Sequence, residues 1–192
     1  MPKAVVISEL EVRLPPVDIT GAYATRVRAG KELEFEVIRQ LVEMGHYVEI
    51  RVGEDGEIDD MKEGIDCWLL MDDGKLHAVQ IKVRQTGDDI IYELYYDKDT
   101  KSDGRDVKGR SEFYLVVDTQ GVGTMIRTDL IRDMEPMLRA AYDEGNMRSR
   151  KWMLFEKTEE GDINDAGVER VKLLAYIKPP LHEIIQQWQF VR

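Results

Sequence analysis

The chain has 192 residues, 43% hydrophobic and 34% charged, a balance that excludes a disordered polyelectrolyte and suits one compact domain or one domain with an appendage. Its 27 Lys and Arg against 38 Asp and Glu give a formal charge of -11, which excludes a protein that coats nucleic acid by bulk attraction but leaves room for a local basic groove. The lone Cys67 cannot form an internal disulfide, and no run approaches the roughly 18 apolar residues of a membrane span, so a cytoplasmic protein without membrane contact is expected.

Residues 4–14 carry β-branched residues with some alternation and predict a strand that Pro15 and Pro16 end. From Gly30 to Met44 the apolar residues Leu33, Phe35, Val37, Ile38, Leu41, Val42 and Met44 follow a 3.6-residue period, predicting a helix that Gly45 terminates. Strands are predicted at 48–52 and 65–71, on either side of an acidic, turn-rich stretch at 54–63. Residues 76–84 alternate, and after Thr86, Gly87 and Asp88 the run at 90–96 reads as the return arm of a hairpin. Residues 65–71, 76–84 and 90–96 would then form a meander.

A polar loop is predicted at 97–112, strands at 113–118 and 125–127, and a helix from Thr128, acting as N-cap, to about Tyr142. Strands at 151–157 and 170–178 follow. Beyond Pro179 and Pro180, the spacing of Leu181, Ile184, Ile185 and Trp188 predicts a short terminal helix over 181–190. The expected organisation is a lead-in at 1–27, a core at 28–145, and a C-terminal extension at 146–192 packed on that core.

At about 100° per residue, Glu34 falls in the middle of the apolar arc of the first predicted helix, while Glu32, Glu36, Arg39 and Glu43 fall opposite. A carboxylate aimed at a core needs an ion pair, hydrogen bonds or a cation. A buried structural ion pair satisfies that requirement as well as a catalytic site does. Alternation along 76–84 places Gln80 and Lys82 on one face, and Asp66 opens an otherwise apolar strand. Taken singly, each residue fits an ordinary surface or turn position.

In order, Glu34, then Gly64-Ile65-Asp66, then Gln80-Ile81-Lys82, the sequence resembles the PD-(D/E)XK nuclease superfamily with its restriction-endonuclease-like fold. The opening, with Gly30, Glu34 and Gly45 leading into Tyr47-Val48-Glu49-Ile50, is most similar to archaeal Holliday-junction resolvases. The resemblance spans roughly residues 28–118 and departs from the family in carrying Gln80 where Asp or Glu is usual, as in the Q-x-K of a transposase nuclease subunit.

The resemblance implies an α/β protein with a central mixed sheet flanked by helices, and a Mg²⁺-dependent DNA endonuclease that leaves 5′-phosphate and 3′-hydroxyl ends. It implies Asp66, Gln80, the Ile81 carbonyl and Glu34 as metal ligands, with Mn²⁺ as a substitute for Mg²⁺, and Lys82 as the group that orients or deprotonates the attacking water. Two formal carboxylates rather than three favour one tightly held ion. Arg26, Arg28, Lys31, Arg84, Arg105 and Lys108 are the expected DNA contacts, and a homodimer is expected on two-fold grounds. Asp66→Ala and Lys82→Ala are expected to abolish cleavage with thermal unfolding almost unchanged. The alternative is a degenerate site in a DNA-binding or assembly subunit, or a fortuitous motif in which Glu34 pairs with a core Lys or Arg.

Overall fold

The computed structural model describes residues 3–6, 22–52, 64–84, 89–96, 110–157, 171–178 and 184–191. Strand β1 (Lys3–Val6) precedes helix α1 (Ala22–Glu43), which leads into β2 (Val48–Val52), β3 (Cys67–Leu70), β4 (Leu76–Val83) and β5 (Ile90–Tyr96). Then come β6 (Phe113–Val117), β7 (Val122–Arg127), helices α2 (Thr128–Arg132) and α3 (Glu135–Asp143), and strands β8 (Trp152–Lys157), β9 (Val171–Ile177) and β10 (Gln186–Gln189).

Seven strands form one sheet in the order β1-β2-β3-β4-β6-β7-β10, and β5-β9-β8 form a second. Every pairing is antiparallel except β4 with β6, which runs parallel from Val79 opposite Phe113 to Val83 opposite Val117. The chain is therefore a mixed α+β protein built on a mixed sheet. Among the described residues no helix is long and apolar enough to cross a membrane.

Side-chain alternation divides the large sheet between two cores. On one face Val37, Ile38 and Leu41 of α1 pack on Cys67, Leu69, Val79, Ile81, Leu115 and Val117, with Trp188 and Phe190 closing the cluster. On the other, Tyr114, Val116 and Ile126 meet Ile131 and Leu138 of the helices and Tyr92, Trp152, Leu154 and Leu173 of the small sheet. Strand β6 is buried on both faces, which is why its sequence is almost continuously apolar.

Several expectations give way. Helix α1 begins at Ala22, eight residues before the apolar period starts, because Ala and Arg favour helix and Gly30 only weakens it. The meander does not form: one edge of β4 is taken by β3 and the other by β6, so β5 pairs instead along its whole length with β9, Ile90 opposite Ile177. The helix predicted from Thr128 is broken between Arg132 and Glu135, since Pro136 has no N–H and fits only the first turn of a new helix. Thr128 is its first residue, and Arg127 occupies the cap position without a side-chain cap bond.

The terminal helix is a strand. Residues Gln186–Gln189 lie antiparallel on β7, held at the ends by Ile185 N–H to the Met125 carbonyl at 2.9 Å and Phe190 N–H to the Gly121 carbonyl at 2.8 Å. Extended backbone sends Trp188 and Phe190 to the same side, into the α1 core, and that burial outweighs the helical spacing. Strands β8, β9 and β10 thus complete both sheets. Of the other predicted elements, residues 7–14 of the first strand, the acidic stretch 54–63, the turn at 86–88 and most of the loop 97–112 lie outside the described residues.

Candidate functional site

Asp66 sits immediately before β3, after Gly64, whose φ of 63° lets the chain turn into the strand. Its N–H donates to the Val79 carbonyl at 3.0 Å, so the backbone is already in register with β4. The carboxylate, on a residue only 7% exposed, folds back across the same strand, and Oδ2 accepts the Ile81 N–H at 2.6 Å. The other oxygen, Oδ1, accepts from Lys31 Nζ at 2.9 Å.

Lys31 and Glu34 are one turn apart on α1, and the Lys31 ammonium also lies 3.0 Å from Glu34 Oε2. The inward carboxylate anticipated on the helix and the acid that opens the strand therefore converge on a single ammonium. Glu34 Oε2 is hidden from solvent and accepts no hydrogen bond among the described residues. Burial, and then the negative charge of Asp66, push the Glu34 carboxyl up to about 7, against the downward pull of Lys31 and Lys82. Burial pulls Lys31 down, but Asp66 and Glu34 outweigh it and leave the ammonium above its ordinary value.

Strand β4 carries the remaining elements of the motif. Val79 and Ile81 point into the α1 core, so Gln80 and Lys82 alternate to the other face, in register with Tyr114 and Val116 of β6. Gln80 is buried and Lys82 partly so. Lys82 is near enough to act electrostatically on Glu34. Ile81 offers its N–H to Asp66, a main-chain role that the spacing does not reveal. Among the described residues no group of three or more His, Cys, Asp or Glu side chains is arranged to hold a metal ion, in keeping with an amide at position 80.

The expected DNA contacts fare differently. Lys31 is drawn into the carboxylate pair. Arg84 is 5% exposed, with its guanidinium carbon 5.2 Å from the centre of the Tyr176 ring, bridging the large sheet to β9. That is a packing position rather than a clamp open to phosphate. Arg26 and Arg28 fall in the first turns of α1, and their side chains lie outside the described residues, as do Arg105 and Lys108 entirely.

Two histidines are also well engaged. His77 on β4 lies between Glu112 Oε2, 2.8 Å from Nδ1, and Asp73 Oδ2, 3.0 Å from Nε2. The bond to Glu112, and with it Asp73, raises its pKa despite partial burial. The spacing of Asp73 and His77 across a tight turn is visible in the sequence; Glu112 is not, because it arrives through the β4–β6 pairing. His46 accepts the indole N–H of Trp188. No protein-family model, curated protein or solved structure matches the chain.

Proposed function

We propose that the chain is a divalent-metal-dependent DNA endonuclease of the PD-(D/E)XK type, with a structure-selective, Holliday-junction-resolvase-like specificity and a dimeric working form. The observation that carries this reading is the meeting of Glu34 Oε2 and Asp66 Oδ1 on one ammonium, 3.0 and 2.9 Å away, beside the strand that bears Gln80 and Lys82. Two carboxylates held this close in a buried place are destabilising for the fold unless a cation is present, and a functional cation site explains why they are there.

The donor set fits a hard cation. Glu34 Oε2 is shielded from solvent and faces the Lys31 ammonium, and carboxylate oxygens are ligands Mg²⁺ prefers. Asp66 and Glu34 would hold the ion, with the Ile81 carbonyl as a neutral supplement, while the amide of Gln80 is directed to the other face of β4. Bound there, Mg²⁺ supplies charge stabilisation at the phosphate and a water more readily deprotonated than bulk water. Lys82 would orient the attacking water and balance negative charge at the phosphate. Asp66 is itself oriented by the Ile81 N–H, which fixes one of its oxygens and leaves the other directed at the cation position.

A second reading keeps the fold and loses the chemistry. It is favoured by the neutral Gln80 and by the lack of a third acidic or histidine ligand among the described residues, and it makes the protein a DNA-binding or assembly subunit. Incubation with Mg²⁺ or Mn²⁺ and a panel of linear, nicked, supercoiled and four-way DNA separates the two. Cleavage lost in Asp66→Asn supports the nuclease; binding of DNA without cleavage under any of these conditions supports the subunit.

A further inference from the structure

Glu34 lies on α1 and Asp66 just before β3, yet Glu34 Oε2 and Asp66 Oδ1 are directed at the same atom, Lys31 Nζ. Asp66 Oδ2 is committed to Ile81, so Oδ1 is the oxygen left for a cation, and it is the one Lys31 holds. An ammonium 2.9 and 3.0 Å from two carboxylate oxygens stands where an ion bridging them would stand. It cannot share that space with a divalent ion, because both its volume and its charge oppose the second cation.

The Lys31 side chain is 29% exposed, against 12% for Glu34 and 5% for Asp66, so the lysine is the most open of the three to solvent. Its long flexible stem can swing outward while the carboxylates stay fixed by α1 and β4. We propose that Lys31 is the resting counter-ion of the cation site, and that a divalent ion enters by exchange for its ammonium rather than by filling an empty pocket.

This rests on the nuclease reading and adds a regulatory element to it. While no metal is bound, Lys31 keeps the like-charged pair together and the helix seated on the sheet. When metal enters, the freed ammonium turns to the outer surface of α1. Lys31 therefore weakens metal affinity and protects the metal-free fold, two effects that one substitution must move in opposite directions.

The test titrates MgCl₂ and MnCl₂ by calorimetry into the wild-type chain and into Lys31→Met, Lys31→Gln and Asp66→Asn variants, with thermal midpoints measured with and without metal. Lys31→Met is expected to bind metal about tenfold more tightly than wild type, to unfold at lower temperature without metal, and to gain more from added Mn²⁺. Lys31→Gln, which keeps a donor between the carboxylates, gives the same ordering if the Met variant does not fold. Equal affinities in wild type and both Lys31 variants, still abolished by Asp66→Asn, would overturn the exchange and leave the metal site standing. No binding sensitive to Asp66 in any variant would remove the site and the exchange together.

Discussion

Trp188 donates its indole N–H to Nε2 of His46, 2.9 Å away, and so ties the last strand to the turn that follows α1. The rings meet edge to face at 5.7 Å. A few residues on, Gln40 of α1 grips the Val191 backbone at two points, donating from Nε2 to its carbonyl at 2.8 Å and accepting its N–H at Oε1 at 2.7 Å. The helix that carries Glu34 is thereby fastened to the residues that follow β10 as well as to the sheet beneath it.

His46→Ala leaves the Trp188 indole without its acceptor and should cost about 1–2 kcal/mol in urea unfolding. Trp188→Phe serves as the reference for emission, and the tryptophan spectrum of His46→Ala is expected to shift to the red as the strand loosens. An unchanged urea midpoint together with an unchanged spectrum would show that the bond contributes nothing to docking β10.

Asp66 holds two buried hydrogen bonds whatever its chemistry, so its removal should disturb unfolding, against the expectation of an almost unchanged transition. Asp66→Ala deprives the Ile81 N–H and the Lys31 ammonium of a partner in a buried place and should cost about 3 kcal/mol. Asp66→Asn keeps an acceptor for Ile81 and should cost about 1 kcal/mol. Both should lack cleavage, whereas Lys82→Ala should lose cleavage with a smaller change in stability. Thermal midpoints that place Ala and Asn together would rule out the anchoring role.

The Glu34 carboxyl, raised from 4.5 to about 7, makes a signed prediction. Its folded form binds the proton more tightly than the unfolded chain, so the contribution is fully present below the unfolded value and is lost as pH rises through about 7. In chelator, Glu34→Gln should remove a fall of about 3 kcal/mol that the wild type shows across that window. Parallel stability curves for the two proteins between those pH values would argue that Glu34 titrates normally.

What the sequence discloses and what it hides divide along one physical line. Helix α1 and the inward position of Glu34 are legible because a helix's apolar face is a local property, repeated every few residues. The Lys31–Glu34 contact is equally local, yet a basic residue opening a helix reads as a phosphate clamp until its second partner, Asp66, 35 residues away, is brought to it by β3 and β4. Strand partners are not local. The short spacing between 76–84 and 90–96 suggests a hairpin, but the parallel seat of β6 on β4 excludes it, and nothing in IIYELYY names β9 as its mate. Residues 181–190 mislead for the converse reason: their spacing satisfies a helix, and only the space left for Trp188 and Phe190 above β6 and β7 selects a strand.

That space is kept by glycine, and its loss gives the last prediction. Gly121 has a φ of 80°, in the left-handed region, and a Cβ built there overlaps the Phe190 carbonyl oxygen. The same residue's carbonyl accepts the Phe190 N–H at 2.8 Å, so the turn between β6 and β7 and the end of β10 are in direct main-chain contact. Gly121→Ala therefore combines backbone strain of about 1–3 kcal/mol with displacement of a hydrogen-bonded carbonyl that has no flexible side chain to yield. Hydrogen exchange should rise along Gln186–Gln189 and at Val191, and the thermal midpoint should fall by more than in His46→Ala, because the first change moves the strand and the second only unties one side chain. Unaltered exchange at these amides in a folded Gly121→Ala protein would mean that β10 is not seated on this turn.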